Sequence, residues 1–500
     1  MKKMSFRPVA ALLPSMLAAA LLAGCTTAGK DYAGPPTALD AASFARAGDA
    51  TDNAQDHVLA RWWPALNDPT LDGLVDAALK ANPNLGVARA RLRQARAALG
   101  TERANGRPNG NATAMAAHLR LPPLGDALGT GADSGAGAEG GAAGGGFAVP
   151  SSLNLYSVGF DATWEIDLFG GHRRAVEAAG AAAEAAEAQL ADAQLSLTAE
   201  VASAYINLRS VQQRIALSDA AIARQQRMLE LTARRVQAGT ASQLDLTRLQ
   251  GQLESTRAES EPLLSQLDAY RDELATLAGL APGVLDAQLA APAPVPLPPG
   301  AVATGDPAAM LKRRPDIRAA ERTLAARSAQ VGQADAARFP RLTLLGLIGI
   351  GGTHPSDLTH LDDFSSIAAP QLSWNFLDFG RNAARIEQAE GVRDEAEAQY
   401  RVAVLGALRD AEGALSRFRQ RRATVATIAR AKAAADHATE LMAARQKAGT
   451  ASLIDLLDTE RQQIAAEQNL AQAQAALTGE FVALHKALGL GWDPAAQSKP

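Results

Sequence analysis

Trp164-Glu165-Ile166-Asp167-Leu168-Phe169-Gly170 returns 210 residues later as Trp374-Asn375-Phe376-Leu377-Asp378-Phe379-Gly380. Arg235-Val236-Gln237-Ala238-Gly239-Thr240-Ala241-Ser242 returns at the same offset, 210, as Arg445-Gln446-Lys447-Ala448-Gly449-Thr450-Ala451-Ser452. Two landmarks at one offset mean that the chain holds two copies of one unit, with no net insertion between them. Upstream, Pro83-Asn84-Leu85 aligns with Pro315-Asp316-Ile317, and Pro108 with Pro340, at an offset of 232. The difference leaves 22 extra residues in the first copy, between Pro108 and Trp164. That interval holds Gly125 to Gly146, almost wholly Gly, Ala, Asp and Ser. Such a stretch cannot bury enough apolar surface to order itself, so 121–150 reads as a flexible loop at a strand–strand connection.

Each copy then reads as helix, two strands, a very long helix, a turn and a returning helix. In the first, 62–290, strands fall at about 109–119 and 153–165, the long helix at 171–238 and the return helix at 242–279. In the second, 306–489, strands fall at about 341–350 and 366–376, the long helix at 381–448 and the return helix at 452–489. A Pro-rich linker, 291–305, joins the copies, and 490–500 is a C-terminal tail. Neither 171–238 nor 381–448 contains a proline, and 68 residues of helix run roughly 100 Å.

Along the first long helix, Leu190, Leu197, Val201, Leu208, Ile215, Ile222, Leu229 and Val236 follow steps of seven with one of four. Leu195, Ile206, Leu217 and Met228 make a second stripe at steps of eleven. Two stripes mean neighbours on two sides, as a wall of side-by-side helices requires. Pro262 should kink or break the first return helix. The strands have about the ~9–11 residues that a tilted membrane strand needs. Four strands cannot close a barrel, and lipid does not tolerate open sheet edges, so several chains must combine.

Composition agrees with long helices: apolar residues are 47% of the chain but aromatics only 4%. Residues 1–24 read as a signal peptide, with Lys2, Lys3 and Arg7 ahead of an apolar run from Pro8 to Leu22. It ends Leu22-Ala23-Gly24-Cys25, which resembles a bacterial lipobox, and Cys25 is the only cysteine, so no intrachain disulfide can form. Lipidation of Cys25 would anchor 25–61 as an N-terminal linker with more than one acyl chain. Thr26 in place of Asp resembles lipoproteins sent to the outer membrane. Removing the three leader cations takes the formal charge from −4 to −7, and no basic block points to nucleic acid. No later segment approaches the ~18 apolar residues of a membrane helix.

From Trp62 to the last helix the chain resembles the TolC/OprM/NodT family of outer-membrane efflux proteins. The resemblance rests on Trp62-Trp63 with Asp68-Pro69 and Leu71, Asn82-Pro83-Asn84-Leu85, Arg314-Pro315-Asp316-Ile317, Phe339-Pro340, and the doubled Phe-Gly and Arg-x-x-Ala-Gly-Thr-x-Ser motifs. It implies a mainly α fold with a membrane β-barrel part. It also implies a homotrimer in which twelve strands form one outer-membrane barrel and twelve helices a periplasmic tunnel. The implied partners are a periplasmic adaptor and an inner-membrane efflux pump, and the implied function is passive export of small molecules, without a cofactor. An outer-membrane component of protein secretion shares this architecture. A periplasmic adaptor lipoprotein would have one helical hairpin rather than two. A structural lipoprotein spacer would need neither the strands nor the Trp and Phe-Gly landmarks.

The seven histidines are scattered, and His354 and His360 read as loop residues rather than metal ligands. Gly349-Ile350-Gly351-Gly352 lacks the Lys-Ser/Thr of a phosphate loop. No nucleophile–base grouping assembles, so an enzyme is the weakest reading. The hairpin tips hold the candidate site. Gly239 and Gly449 fit the left-handed position that ends a helix, and Ser242-x-x-Asp245 and Ser452-x-x-Asp455 resemble capping boxes. Asp458 lies beyond the cap, three residues after Asp455, and its counterpart in the first copy is Arg248. The resemblance implies that Asp455 and Asp458 line a periplasmic aperture, where a ring of carboxylates would raise one another's pKa values. A solvated face, or pairing of Asp458 with Arg248 or Arg461, is the rival reading. Arg235 and Arg445 either cap helix C-termini or, with Thr240 and Thr450, meet the adaptor.

Overall fold

A computed structural model describes residues 27–36, 43–46, 61–120, 152–300, 302, 306–360, 362 and 364–492. Cys25 and the glycine-rich loop 121–150 lie outside the described residues. The ordered elements are α1 (Pro69–Ala81), α2 (Pro83–Asn105), β1 (Asn109–Arg120), β2 (Ser152–Ile166), α3 (Gly171–Gln237), α4 (Gln243–Leu277), α5 (Pro307–Arg313), α6 (Pro315–Ala336), β3 (Arg341–Gly352), β4 (Phe364–Ser373), α7 (Arg381–Lys447) and α8 (Leu453–Ala487). They fall into two compact units, one of Met1–Tyr32, Ala97–Gly180 and Ala326–Arg393, the other of Ala33–Arg96, Ala181–Ala325 and Asp394–Pro500. No helix among the described residues is long and apolar enough to cross a membrane.

The first unit is built on one antiparallel sheet in the order β1-β2-β3-β4. Register fixes its faces. Phe160 pairs with Ile348 and Trp164 with Leu344, while Ile350 pairs with Phe364 and Leu342 with Leu372. Because side chains alternate along a strand, these residues share one apolar face. The opposite face carries Asn111, Asp161, Thr163, Glu165, Thr343 and Gln371 among apolar residues that include Leu155, Leu345, Leu347 and Ile367.

The repeated tryptophans do the same work in both copies. Trp164 Nε1 donates to the Gly106 carbonyl at 3.0 Å, and Trp374 Nε1 to the Arg338 carbonyl at 3.0 Å. Each indole thus ties the end of a hairpin to the helix that leads into it. β4 ends at Ser373, short of the Phe376 expected from the sequence. Among the described residues its one partner is β3, which begins at Arg341 after Pro340, a residue with no N–H to offer a longer ladder. β2 lies between two strands and reaches Ile166.

Residues 28–31 also dock in this unit. Ala28 N donates to the Phe169 carbonyl at 2.8 Å. The buried Arg174 guanidinium donates to the carbonyls of Ala28 and Gly29, each at 3.1 Å, and to Asp31 and Glu177, each at 2.7 Å. A buried cation is tolerable only with such a set of partners.

In the second unit the two return helices are closed by equivalent contacts made with different chemistry. Asn82 accepts from the Asn84 N–H at 2.8 Å and so caps α2, while its amide donates to the Leu277 carbonyl at the end of α4, 2.9 Å away. At the corresponding place in the second copy, Arg314 donates to the Ala487 carbonyl at the end of α8 at 2.7 Å and forks onto Asp316 at 3.0 and 2.7 Å. Both helices then end on a left-handed glycine, Gly279 (φ 74°) and Gly489 (φ 71°). A β-carbon on Gly279 would lie 2.5 Å from the Ala81 carbonyl oxygen, so the φ and the space both demand glycine.

The core of this unit gathers Trp62, Trp63, Leu71, Leu85, Tyr205, Leu208, Leu274 and Phe481, all nearly inaccessible. Both stripes of α3 are buried as far as Leu208 and only partly covered beyond it. Polar groups interrupt that helix. Arg209 donates to the Tyr205 hydroxyl (2.9 Å), to Gln212 Oε1 (2.8 Å) and to the Ala291 carbonyl (2.8 Å), and Tyr205 donates to Asp68 (2.6 Å). Burial, reinforced by the bond to Asp68, pushes the Tyr205 hydroxyl up to about 12. This network straps the start of the proline-rich linker onto the helix. Pro262 does not break α4, which continues through it.

Candidate functional site: the two hairpin tips

The tips form where α3 turns into α4 and α7 into α8. Gly239 and Gly449 both have φ 73°. Gly239 N donates to Val236 O at 2.9 Å and Thr240 N to Arg235 O at 2.8 Å. The second tip repeats this with Gly449 N to Gln446 O at 3.0 Å and Thr450 N to Arg445 O at 2.9 Å. This pair of bonds closes the last orphan carbonyls of a helix. The threonine hydroxyls add a bond each, Thr240 to Arg235 O and Thr450 to Arg445 O, both at 3.1 Å. The repeated Arg-x-x-Ala-Gly-Thr sequence thus has a backbone explanation that leaves both arginine side chains exposed.

The following helix starts differ. Ser452 Oγ accepts from Asp455 N at 3.1 Å, and the Asp455 carboxylate accepts from Ser452 N at 3.1 Å and from its hydroxyl at 2.7 Å, a full capping box. At the first tip Ser242 accepts from Leu244 N at 3.1 Å instead, and Asp245 returns no bond, so the box expected there is not made. The Ser452 hydroxyl, then its N–H, hold the Asp455 carboxyl below the ordinary carboxylate range, and Arg445 adds to this. Asp458 sits one turn on, exposed, bonded to Arg461 at 2.8 Å and to Gln462 at 3.4 Å. Arg461, not Arg248, is its partner within the chain. Such an exposed pair contributes little to stability and leaves the carboxylate in reach of solvent.

Sequence reasoning did not find the polar network several turns above the second tip. Lys432 bridges Asp436 at 2.6 Å and lies 3.9 Å from Glu467, and Gln463 donates to Asp436 at 2.9 Å. The i,i+4 spacing of Lys432 and Asp436 was the available signal. Glu460, half buried nearby, has its carboxyl raised by desolvation. Among the described residues no group of three or more His, Cys, Asp or Glu could hold a metal ion.

A four-stranded antiparallel sheet, very long helices and exposed hairpin tips characterise the chain, and known proteins share them. Residues 74–280 and 307–490 each match the family described as outer membrane efflux protein. Nodulation protein T of Rhizobium leguminosarum bv. viciae is 30% identical over 492 residues, covering 98% of this chain and 94% of the relative. The pyoverdine export outer membrane protein OpmQ of Pseudomonas aeruginosa is 31% identical, covering 87% of this chain and 88% of the relative. The solved outer-membrane channel OprN superposes with a TM-score of 0.82 at 34% identity, covering 93% of this chain and 99% of that one. The chain belongs to the outer membrane efflux protein family.

Proposed function

We propose that three copies of this chain close their sheets into one twelve-stranded outer-membrane barrel, continued through the periplasm by the long helices as a passive conduit for small molecules. The observation that carries this reading is the sheet. One of its faces is apolar, and β1 and β4 are its two outer strands. Lipid does not tolerate unpaired strand edges, and β4 of one copy against β1 of the next continues the antiparallel order. The apolar face then meets lipid, and the face bearing Asp161 and Glu165 lines the lumen.

The tips are the periplasmic mouth. Asp455 and Asp458 of the three copies converge there and bind cations, while Arg235, Gly239, Thr240 and their counterparts Arg445, Gly449 and Thr450 offer the surface to an adaptor that couples the channel to an inner-membrane pump. Cys25 carries the lipid anchor. The docking of residues 28–31 under Arg174 supports this, because it holds the chain beside the sheet only three residues beyond the cysteine. Native mass spectrometry of the detergent-extracted protein tests the assembly and should give a trimer. A stable monomer with protected strands would refute it. In planar bilayers, Asp455→Ala with Asp458→Ala should raise conductance and weaken block by divalent cations. Unchanged conductance and block would reduce both residues to capping and solvation.

A further inference from the structure

One contact inside the chain supplies a template for the joint between chains. Phe169, just after β2, stacks on Phe339, just before β3, with ring centroids 4.6 Å apart and planes 15° from parallel. This is where the first repeat meets the second. The same position after β4 is Phe379, and it has no such partner: it is 85% exposed. Phe376 and Leu377 beside it are 75% and 65% exposed, while their first-copy counterparts, Ile166 and Asp167, are partly covered. The residue that occupies the Phe339 position in the first copy is Arg107, one place before Pro108 as Phe339 is one place before Pro340. Arg107 is exposed, and its side chain has no partner among the described residues.

We infer that Arg107 of one copy lies over the Phe379 ring of its neighbour, so that the assembly carries ring-on-ring stacks at the joints within chains and cation-on-ring contacts at the joints between chains. The inference rests on the trimer proposed above and names its seam. A guanidinium is planar and stacks on an aromatic face much as a second ring does, so it can replace Phe339 without altering the geometry. Gly332, against which Arg174 packs, corresponds to Gly100, which has nothing within 4 Å of a β-carbon position. The seam of one chain is thus missing a partner on both sides, and each side fits the other.

The test uses the full-length protein in membranes, with Arg107→Cys and Phe379→Cys introduced singly and together, treated with a short bismaleimide. Only the double variant should give dimer- and trimer-sized species on denaturing gels. The single variants measure any background from Cys25. No cross-linking in a double variant whose native mass is still trimeric would overturn the contact and leave the apolar patch at 374–379 to membrane lipid. A monomeric native mass for the unaltered protein would overturn the trimer itself. Should the double variant fail to assemble, a second pair decides. Arg107→Phe, which restores a ring on both sides, should keep the heat resistance of the trimer, and Arg107→Glu should lower it. Equal heat resistance in these two variants would refute the seam.

Discussion

His485 should make the folded chain sensitive to acid. Its ring is 3% exposed, centred 4.1 Å from the Phe481 ring and 5.4 Å from Trp62. Its Nδ1 lies 2.8 Å from the Phe481 carbonyl, which can only accept, so Nδ1 bears the proton of a neutral imidazole. Burial lowers the pKa from 6.5 to about 4, and the bond to Phe481 offsets only part of that. A depressed folded-state pKa means that the unfolded chain takes up the proton first. The contribution is therefore whole above pH 6.5 and drains away as pH falls from 6.5 through 4. At 1.36 kcal/mol per unit, the full loss is about 3 kcal/mol per chain, of which about 2 is gone by pH 5. Thermal or urea unfolding of the detergent-solubilised protein, followed by circular dichroism, would read it. His485→Phe keeps the ring contacts but cannot titrate, so its stability should fall about 2 kcal/mol less than that of the unaltered chain between pH 7.5 and pH 5. Identical pH slopes for the two proteins would refute the argument, whatever the absolute cost of the substitution.

Gly279→Ala should cost at least 1 kcal/mol, because it sets a β-carbon against the Ala81 carbonyl at an unfavourable φ, whereas Gly251→Ala, in open space within α4, should be neutral or stabilising; paired denaturation curves would decide. Deleting Gly125 to Gly146 should leave folding and transport largely intact, since the second copy does without an equivalent, and loss of the trimer would show that the segment is structural. Intact-mass analysis of the mature N-terminus should find lipidated Cys25, and an unmodified chain starting elsewhere would exclude the anchor.

The mainly helical fold and its strands were legible because the signals are periodic and long: proline-free runs, seven-residue stripes, and landmarks repeated at fixed offsets. The tip turns were legible too, since a glycine at a helix end has few other uses. Boundaries that depend on a neighbour were not. β4 stops where Pro340 withdraws a donor from the facing strand, and only the register reveals that pairing. Pro262 costs α4 one hydrogen bond, and a helix packed along most of its length can carry that loss. Ser242 and Ser452 are each followed by an aspartate three residues on, yet only Ser452 completes its box. The Arg174 clamp joins residues 143 to 146 positions apart, beyond any local pattern. His485 looked like one more scattered histidine until burial separated it from the rest.

The closures of the two return helices have a kinetic corollary. Asn82 holds the end of α4 with a neutral amide, and Arg314 holds the end of α8 with a guanidinium already locked in place by Asp316. A hydrogen bond to a charged group is worth about 1.5–3 kcal/mol against about 1 for a neutral pair. The end of α8 should therefore be held more firmly than the end of α4. Fraying should start at the end of α4, whose last amide protons should exchange with solvent sooner than those of α8.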